Sequence, residues 1–281
     1  MPHMWGEFST GVRDERIMSK EHAPDPSSPM KTKDIVDMML SSQHSKTVDT
    51  ETIIKEVQKR VWSALKKGYE YDYSRDDSDK FLREHVSSRV KMIVVYVDLV
   101  ESTKMTLELP ATKIAIIISS FSQEMGFVIK QHEGYVLKYI GDAVIGYFVA
   151  QENPLVAAVN AVNCGRSMIS VIERGINPIL NEYDYPELHV KIGMDFGENT
   201  IVRYGADKSN SHVDILGPGM SIAAKITNLA KPNQILVGED VYEKLHPALK
   251  QSFKEVEWHG NQWDYRDRET GQIYRVYAYV G

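Results

Sequence analysis

A single cysteine, Cys164, leaves this 281-residue chain no intramolecular disulfide, which suits a reducing, cytoplasmic setting. Cys164 itself reads as a small core residue inside a helix. Basic charge is also short: Lys and Arg number 33 against 39 for Asp and Glu, a formal net charge of −6. No general positive field exists to hold a nucleic-acid polymer. Long apolar runs are missing too. The longest, Met92 to Val97 and Ile114 to Ile118, fall far short of the ~20 residues that cross a bilayer, so no membrane partner is expected. The N-terminus, MPHMWGEFSTGVRDER, lacks the continuous apolar segment of a secretory signal. A GxxxxGK phosphate loop and an HExxH zinc motif are absent, and Gly217-Pro218-Gly219 lacks the third glycine of a dinucleotide fingerprint.

What remains is 42% hydrophobic and 26% charged, enough apolar material for one large domain with an extension. Residues 1–48, with HAPDPSSP among them, bury little apolar surface and are expected to be disordered or weakly structured. Residues 49–88 form an N-terminal helix and linker: TETIIKEVQKRVWSALKKG places Ile53, Ile54, Val57, Val61, Trp62 and Leu65 at helical spacing, and EYDYSRDDSDK follows as a charged connector. A chain begun near Ser87 is expected to keep the fold.

The main domain occupies 89–281. VKMIVVYVD reads as a central strand and PATKIAIIISSFSQEMGFVIKQH as a helix. GYVLKYIGDAVIGYF holds two short strands around a Gly141-Asp142 turn, Pro154 opens an alanine-rich helix, and HVKIGMDFG and NTIVRYG follow as two strands. The order is βαββαβ, an α+β fold with an antiparallel-dominated sheet and helices on one face. A helix at MSIAAKITNLA, a strand at QILVG and terminal strands including IYRVYAYV extend it.

Asp98 ends the first strand and Asp142 sits in the hairpin turn, so sheet pairing can bring their carboxylates together. Two carboxylates at one sheet edge make a hard oxygen site for Mg²⁺ or Mn²⁺, and two metal ions can clamp the attacking and leaving oxygens of a phosphoryl displacement.

The blocks VYVDLVESTKM, GYVLKYIGDAVIGYF, VKIGMDFGENTIVRYG and HVDILGPGMSIAAKITNLAKPNQILVG together resemble the class III adenylyl/guanylyl cyclase catalytic domain in order and spacing. That resemblance implies a ferredoxin-like βαββαβ core with a C-terminal extension, working as a head-to-tail homodimer with two metal ions per site. It assigns metal binding to Asp98, Asp142 and the Leu99 carbonyl. It assigns purine reading to Lys138 and Asp214, which pair sensibly with ATP because the lysine donates to adenine N1 and the carboxylate accepts from N6. Where the family has asparagine and arginine on one helix, this chain has Ser221 and Lys225, with Asn228 at i+7 on the same face. Lys225 keeps the positive charge but loses the bidentate fork.

Glu101 replaces a usual glycine, and a late phosphate-binding lysine gives way near VEWHG, where His259 is the nearest substitute. The expected reaction is ATP to cyclic AMP and pyrophosphate. A cyclase for GTP or a pyrimidine triphosphate, and a weakly active nucleotide-binding dimerisation module, are the alternatives.

Overall fold

The computed structural model describes residues 49–67, 76–258, 262–267 and 270–281. The expected disorder of 1–48 and the substitute His259 lie outside them. Val48–Gly281 is one compact unit.

Its framework is an eight-stranded sheet. Strand β1 (Arg89–Leu99) lies between β3 (Ala143–Val149) and β4 (Val190–Tyr204), antiparallel to both. Outward from β3 comes β2 (Tyr135–Ile140); outward from β4 come β6 (Gln234–Gly238), β8 (Val276–Tyr279) and β7 (Phe253–Glu255). Among the described residues only β4 and β6 pair in parallel. HVKIGMDFG and NTIVRYG, expected as two strands, form one 15-residue strand, β4. Its far end pairs with β5 (His212–Leu216): Thr200 faces both Arg89 of β1 and Leu216, and Ile201 to Tyr204 continue along β5 past the end of β1. A strand this long changes partner where β1 runs out, so no turn is needed.

The continuous apolar run of β1 follows from burial on both faces. Ile93, Val95, Val97 and Leu99 join a core under α4 (Ala111–Gln131) and α5 (Pro154–Val171). Met92 and Val94 join a second core on the opposite face, with Tyr147, Ile215, Met220 and Ala223. A short α3 (Ser102–Glu108) occupies what reads in sequence as loop. A π-helical turn (Ile172–Ile176) leads from α5 into α6 (Asn177–Asn181). The helices Ala111–Gln131 and Pro154–Asn181 are long and apolar enough by composition to cross a membrane, but 44% and 56% of those windows are buried inside the domain.

Two N-terminal helices belong to these cores. Helix α1 (Thr50–Lys67) buries Ile53, Ile54, Val57 and Val61 in the core under α4 and α5. The connector read as charged linker continues into α2 (Asp76–Glu84). Asp76, Asp77 and Asp79 crowd its first turn, where the helix dipole favours negative charge, and Leu82 anchors it in the second core.

Helix α7 (Pro218–Leu229) lies against β4 on the second face. It sits close because of Gly193, where a Cβ would come 2.3 Å from Thr227 Oγ1. After β6 the chain forms α8 (Glu239–Lys244) and α9 (Pro247–Lys250).

Candidate active site

In β1 side chains alternate, so Tyr96 and Asp98 share the face that carries α7. Asp98 is flanked by Ala143 of β3 and Lys191 of β4 as Cα partners. Asp142 fills the turn that joins β2 to β3, directly before Ala143, with Gly141 at φ 59° taking the left-handed position. The two carboxyl groups are thereby within hydrogen-bonding reach of each other. Burial first, and then the charge of Asp142, push the Asp98 carboxyl up to about 6, with Lys191 opposing. Two neighbouring carboxyl groups, one of them partly buried, offer only oxygen ligands and fit a hard divalent cation. Leu99 follows as the last residue of β1, its side chain buried in the first core, so any contribution to the site comes from its backbone.

A second cluster lies around β2 and β5. Lys138 sits at a register shift in β2 and its Nζ donates to Asp214 Oδ2 at 2.5 Å. Asp214 Oδ1 accepts from the backbone N–H of Ile215 at 2.9 Å. His212 Nε2 lies 3.8 Å from Asp214 Oδ2. Burial, and then the Asp214 charge, raise the Tyr96 hydroxyl above its usual range. Tyr96 and His212 therefore join Lys138 and Asp214, and neither stood out in the sequence. The alternation Tyr96-Val97-Asp98 is the signal that could have found the first.

The third group is on α7. Met220, Ile222, Ala223, Ile226 and Thr227 turn inward, which leaves Ser221, Lys225 and Asn228 on the exposed face. Among the described residues, no hydrogen bond or ion pair joins these three to Asp98, Asp142, Lys138 or Asp214.

Glu101 caps α3 in the left-handed region, φ 56°, which explains why a glycine suits the position. Its carboxylate is exposed and 3.8 Å from Lys104 Nζ. Its charge is therefore solvated. Glu101→Gly is expected to relieve the backbone cost and raise stability by about 0.5–1 kcal/mol; an unchanged or lower midpoint in urea would contradict that.

Residues 85–269 match the family model described as adenylate and guanylate cyclase catalytic domain. The chain is 25% identical over 162 residues to a cytidylate cyclase of Escherichia coli, covering 55% of this chain and 35% of that protein. It is 30% identical over 181 residues to a uridylate cyclase of Burkholderia cepacia, covering 64% of this chain and 77% of that one. The chain thus spans 35–40% of the length of the cytidylate cyclases it matches. The adenylyl cyclase CyaB from P. aeruginosa shares the fold, with a TM-score of 0.58 at 19% identity over 69% of this chain and 95% of that one.

Proposed function

Because the chain belongs to the adenylate and guanylate cyclase catalytic domain family, we propose that it converts a nucleoside triphosphate to its 3′,5′-cyclic monophosphate, with ATP and CTP as the substrates its base-reading pair fits. The observation that carries the base choice is the ion pair of Lys138 and Asp214. An ammonium only donates and a carboxylate only accepts. They suit a base edge that sets an unprotonated ring nitrogen beside an amino group. Adenine has that edge at N1 and N6; cytosine has it at N3 and N4. Guanine and uracil present a carbonyl beside a ring N–H, the reverse polarity. Two mismatched buried groups at about 1–3 kcal/mol each correspond to discrimination of tens to tens of thousands-fold.

ATP is the reading taken from the sequence. CTP is supported by the relatives named cytidylate cyclase; others are named uridylate cyclase, and for UTP the Lys138 and Asp214 pair has the wrong polarity.

In the proposed reaction the 3′-hydroxyl oxygen bonds to the α-phosphorus as the bond from that phosphorus to the β-phosphate oxygen breaks, and pyrophosphate leaves. Asp98, Asp142 and the Leu99 carbonyl would hold two divalent ions, Mg²⁺ or Mn²⁺, which neutralise triphosphate charge and favour ionisation of the attacking hydroxyl. Lys225 would offer its positive charge to the oxygens that gain negative charge in the transition state. Ser221 and Asn228, one helical turn or two along the same face, would contact the ribose. Membership of the cyclase catalytic-domain family, with the sequence resemblance, supports a homodimer whose two sites each draw on both protomers.

The test is incubation of the protein with Mn²⁺ and each of the four nucleoside triphosphates, with products resolved by chromatography. Cyclic AMP or cyclic CMP should dominate. A dominant cyclic GMP or cyclic UMP product would overturn the reading of the Lys138 and Asp214 edge. No cyclic product from any of the four would favour a nucleotide-binding module.

A further inference from the structure

Beside the first turn of α7 lies a cavity of about 260 Å³, bordered by Gly197, Pro218, Gly219 and Ile222. Three carboxylates line it: Asp195, Asp240 and Asp267. Two tyrosine rings, Tyr265 and Tyr274, stand edge to face at 5.6 Å and complete the wall.

Asp195 is the unusual member. It sits in the middle of β4 opposite Val94 and is 0% exposed. Oδ1 accepts from Tyr274 Oη at 2.7 Å, and that oxygen in turn accepts the backbone N–H of Asp240 at 3.0 Å. Gly238 walls in the same carboxylate oxygen, since a Cβ there would lie 2.1 Å from Oδ1. Oδ2 is buried and has no hydrogen-bond partner. A buried acceptor with nothing to accept from is costly, and native proteins rarely leave one.

Burial and then the charge of Asp240 hold the Asp195 carboxyl well above the usual range. Burial also raises Asp240, with Glu243 and Asp267 adding to it and Lys244 opposing. Lys244 lies over the Phe196 ring at 5.2 Å. Among the described residues it forms no ion pair with Asp195. The cavity thus gathers three carboxyl groups and two aromatic rings, and one of its buried oxygens, Asp195 Oδ2, has no partner.

We propose that this cavity binds a small organic cation bearing a primary ammonium group, which donates to Asp195 Oδ2 and to the Asp240 carboxylate while its carbon chain lies against Tyr265 and Tyr274. The ammonium supplies the missing donor, and the aromatic walls suit both the cation and its methylenes. A bare metal ion is a poorer occupant, because among the described residues no three carboxylate, imidazole or thiolate side chains converge on one point. The inference does not depend on the cyclase reading.

Calorimetric titration of the full chain with methylammonium, n-butylammonium and 1,4-diaminobutane tests it, with n-butanol and KCl as controls. At least one amine should bind saturably and the two controls should not. Asp195→Asn keeps the size of the side chain and removes its charge; about tenfold weaker binding or more is expected. Asp240→Asn, at a half-buried position less demanding of the fold, should also weaken binding and decides the matter if Asp195→Asn fails to fold. The proposal is overturned if none of the three amines binds saturably, or if the folded variants bind as the parent does.

Discussion

Asp98→Asn should abolish cyclisation, with a loss on the order of 10³-fold, while the fold becomes more stable at alkaline pH in the absence of divalent ions. The activity loss follows from the proposed role: a carboxylate that holds a metal contributes several kcal/mol to the transition state, and about 4 kcal/mol is a factor of 10³. The gain in stability follows from the raised carboxyl. Its folded-state value of about 6 lies above the ordinary 3.8, so folding disfavours the ionised form. That penalty is absent below about pH 4, grows as pH rises, and is complete above about pH 6. Because Asp98 is half exposed, solvent screening reduces it to about 1 kcal/mol. Asn carries no charge and escapes it. At pH 8 the variant should melt a few degrees higher, by about 2–4 °C; at pH 4 the difference should vanish.

Mn²⁺ should raise the melting temperature of the parent and leave the variant unmoved. A variant that keeps a tenth of parental activity, or whose thermal response to Mn²⁺ is unaltered, would remove Asp98 from the metal site. The same variant tests the split site. Mixed with Lys138→Ala, which should be impaired for a different reason, it should regain activity through heterodimers with one intact site. No recovery despite demonstrated exchange of subunits would place each complete site within one chain.

How much of this was legible beforehand divides along range of interaction. The β1 run, the Gly141-Asp142 turn and the helices around Ala111–Gln131 and Pro154–Val171 are set by local periodicity and turn chemistry, and all read directly. Asp98 beside Asp142 needed one further step, the pairing of β1 with β3, which sets Asp98 opposite Ala143 next to the β2–β3 turn. Lys191 could not be placed that way, because its position next to Asp98 depends on the register of β4, a strand that begins 91 residues beyond Leu99 in the chain.

Helix α2 was obscured by its own composition: DDSDKFLRE looks like linker until Leu82 finds the second core. Asp195 and Glu124 are invisible for a related reason. Both are acidic residues in apolar surroundings, and only the tertiary partners, Tyr274 for one and Arg60 for the other, make their burial tolerable.

Removing α1 should unfold the protein, contrary to the expectation that a chain begun near Ser87 retains the fold. Ile53, Ile54, Val57 and Val61 are each no more than 4% exposed. Burial of four such side chains contributes about 6–12 kcal/mol, comparable to the whole stability of an ordinary domain, about 5–15 kcal/mol. The helix also satisfies a buried charge. Glu124 on α4 is 1% exposed, and Arg60 meets it with three hydrogen bonds of 2.6–3.2 Å. Burial pushes the Glu124 carboxyl up and the guanidinium partly restores it. Loss of Arg60 leaves that carboxylate alone in the core, a change that costs about 3 kcal/mol or more in comparable pairs. Arg60→Ala should therefore lower stability by about that much on its own, and Val57→Asp by on the order of 4 kcal/mol. Circular dichroism and urea titration of the two point variants and of a chain starting at Ser87 provide the check. The truncated chain should lack a cooperative transition. If it unfolds cooperatively at a denaturant midpoint close to that of the parent, α1 is an accessory of the fold and its buried face contributes little to holding it together.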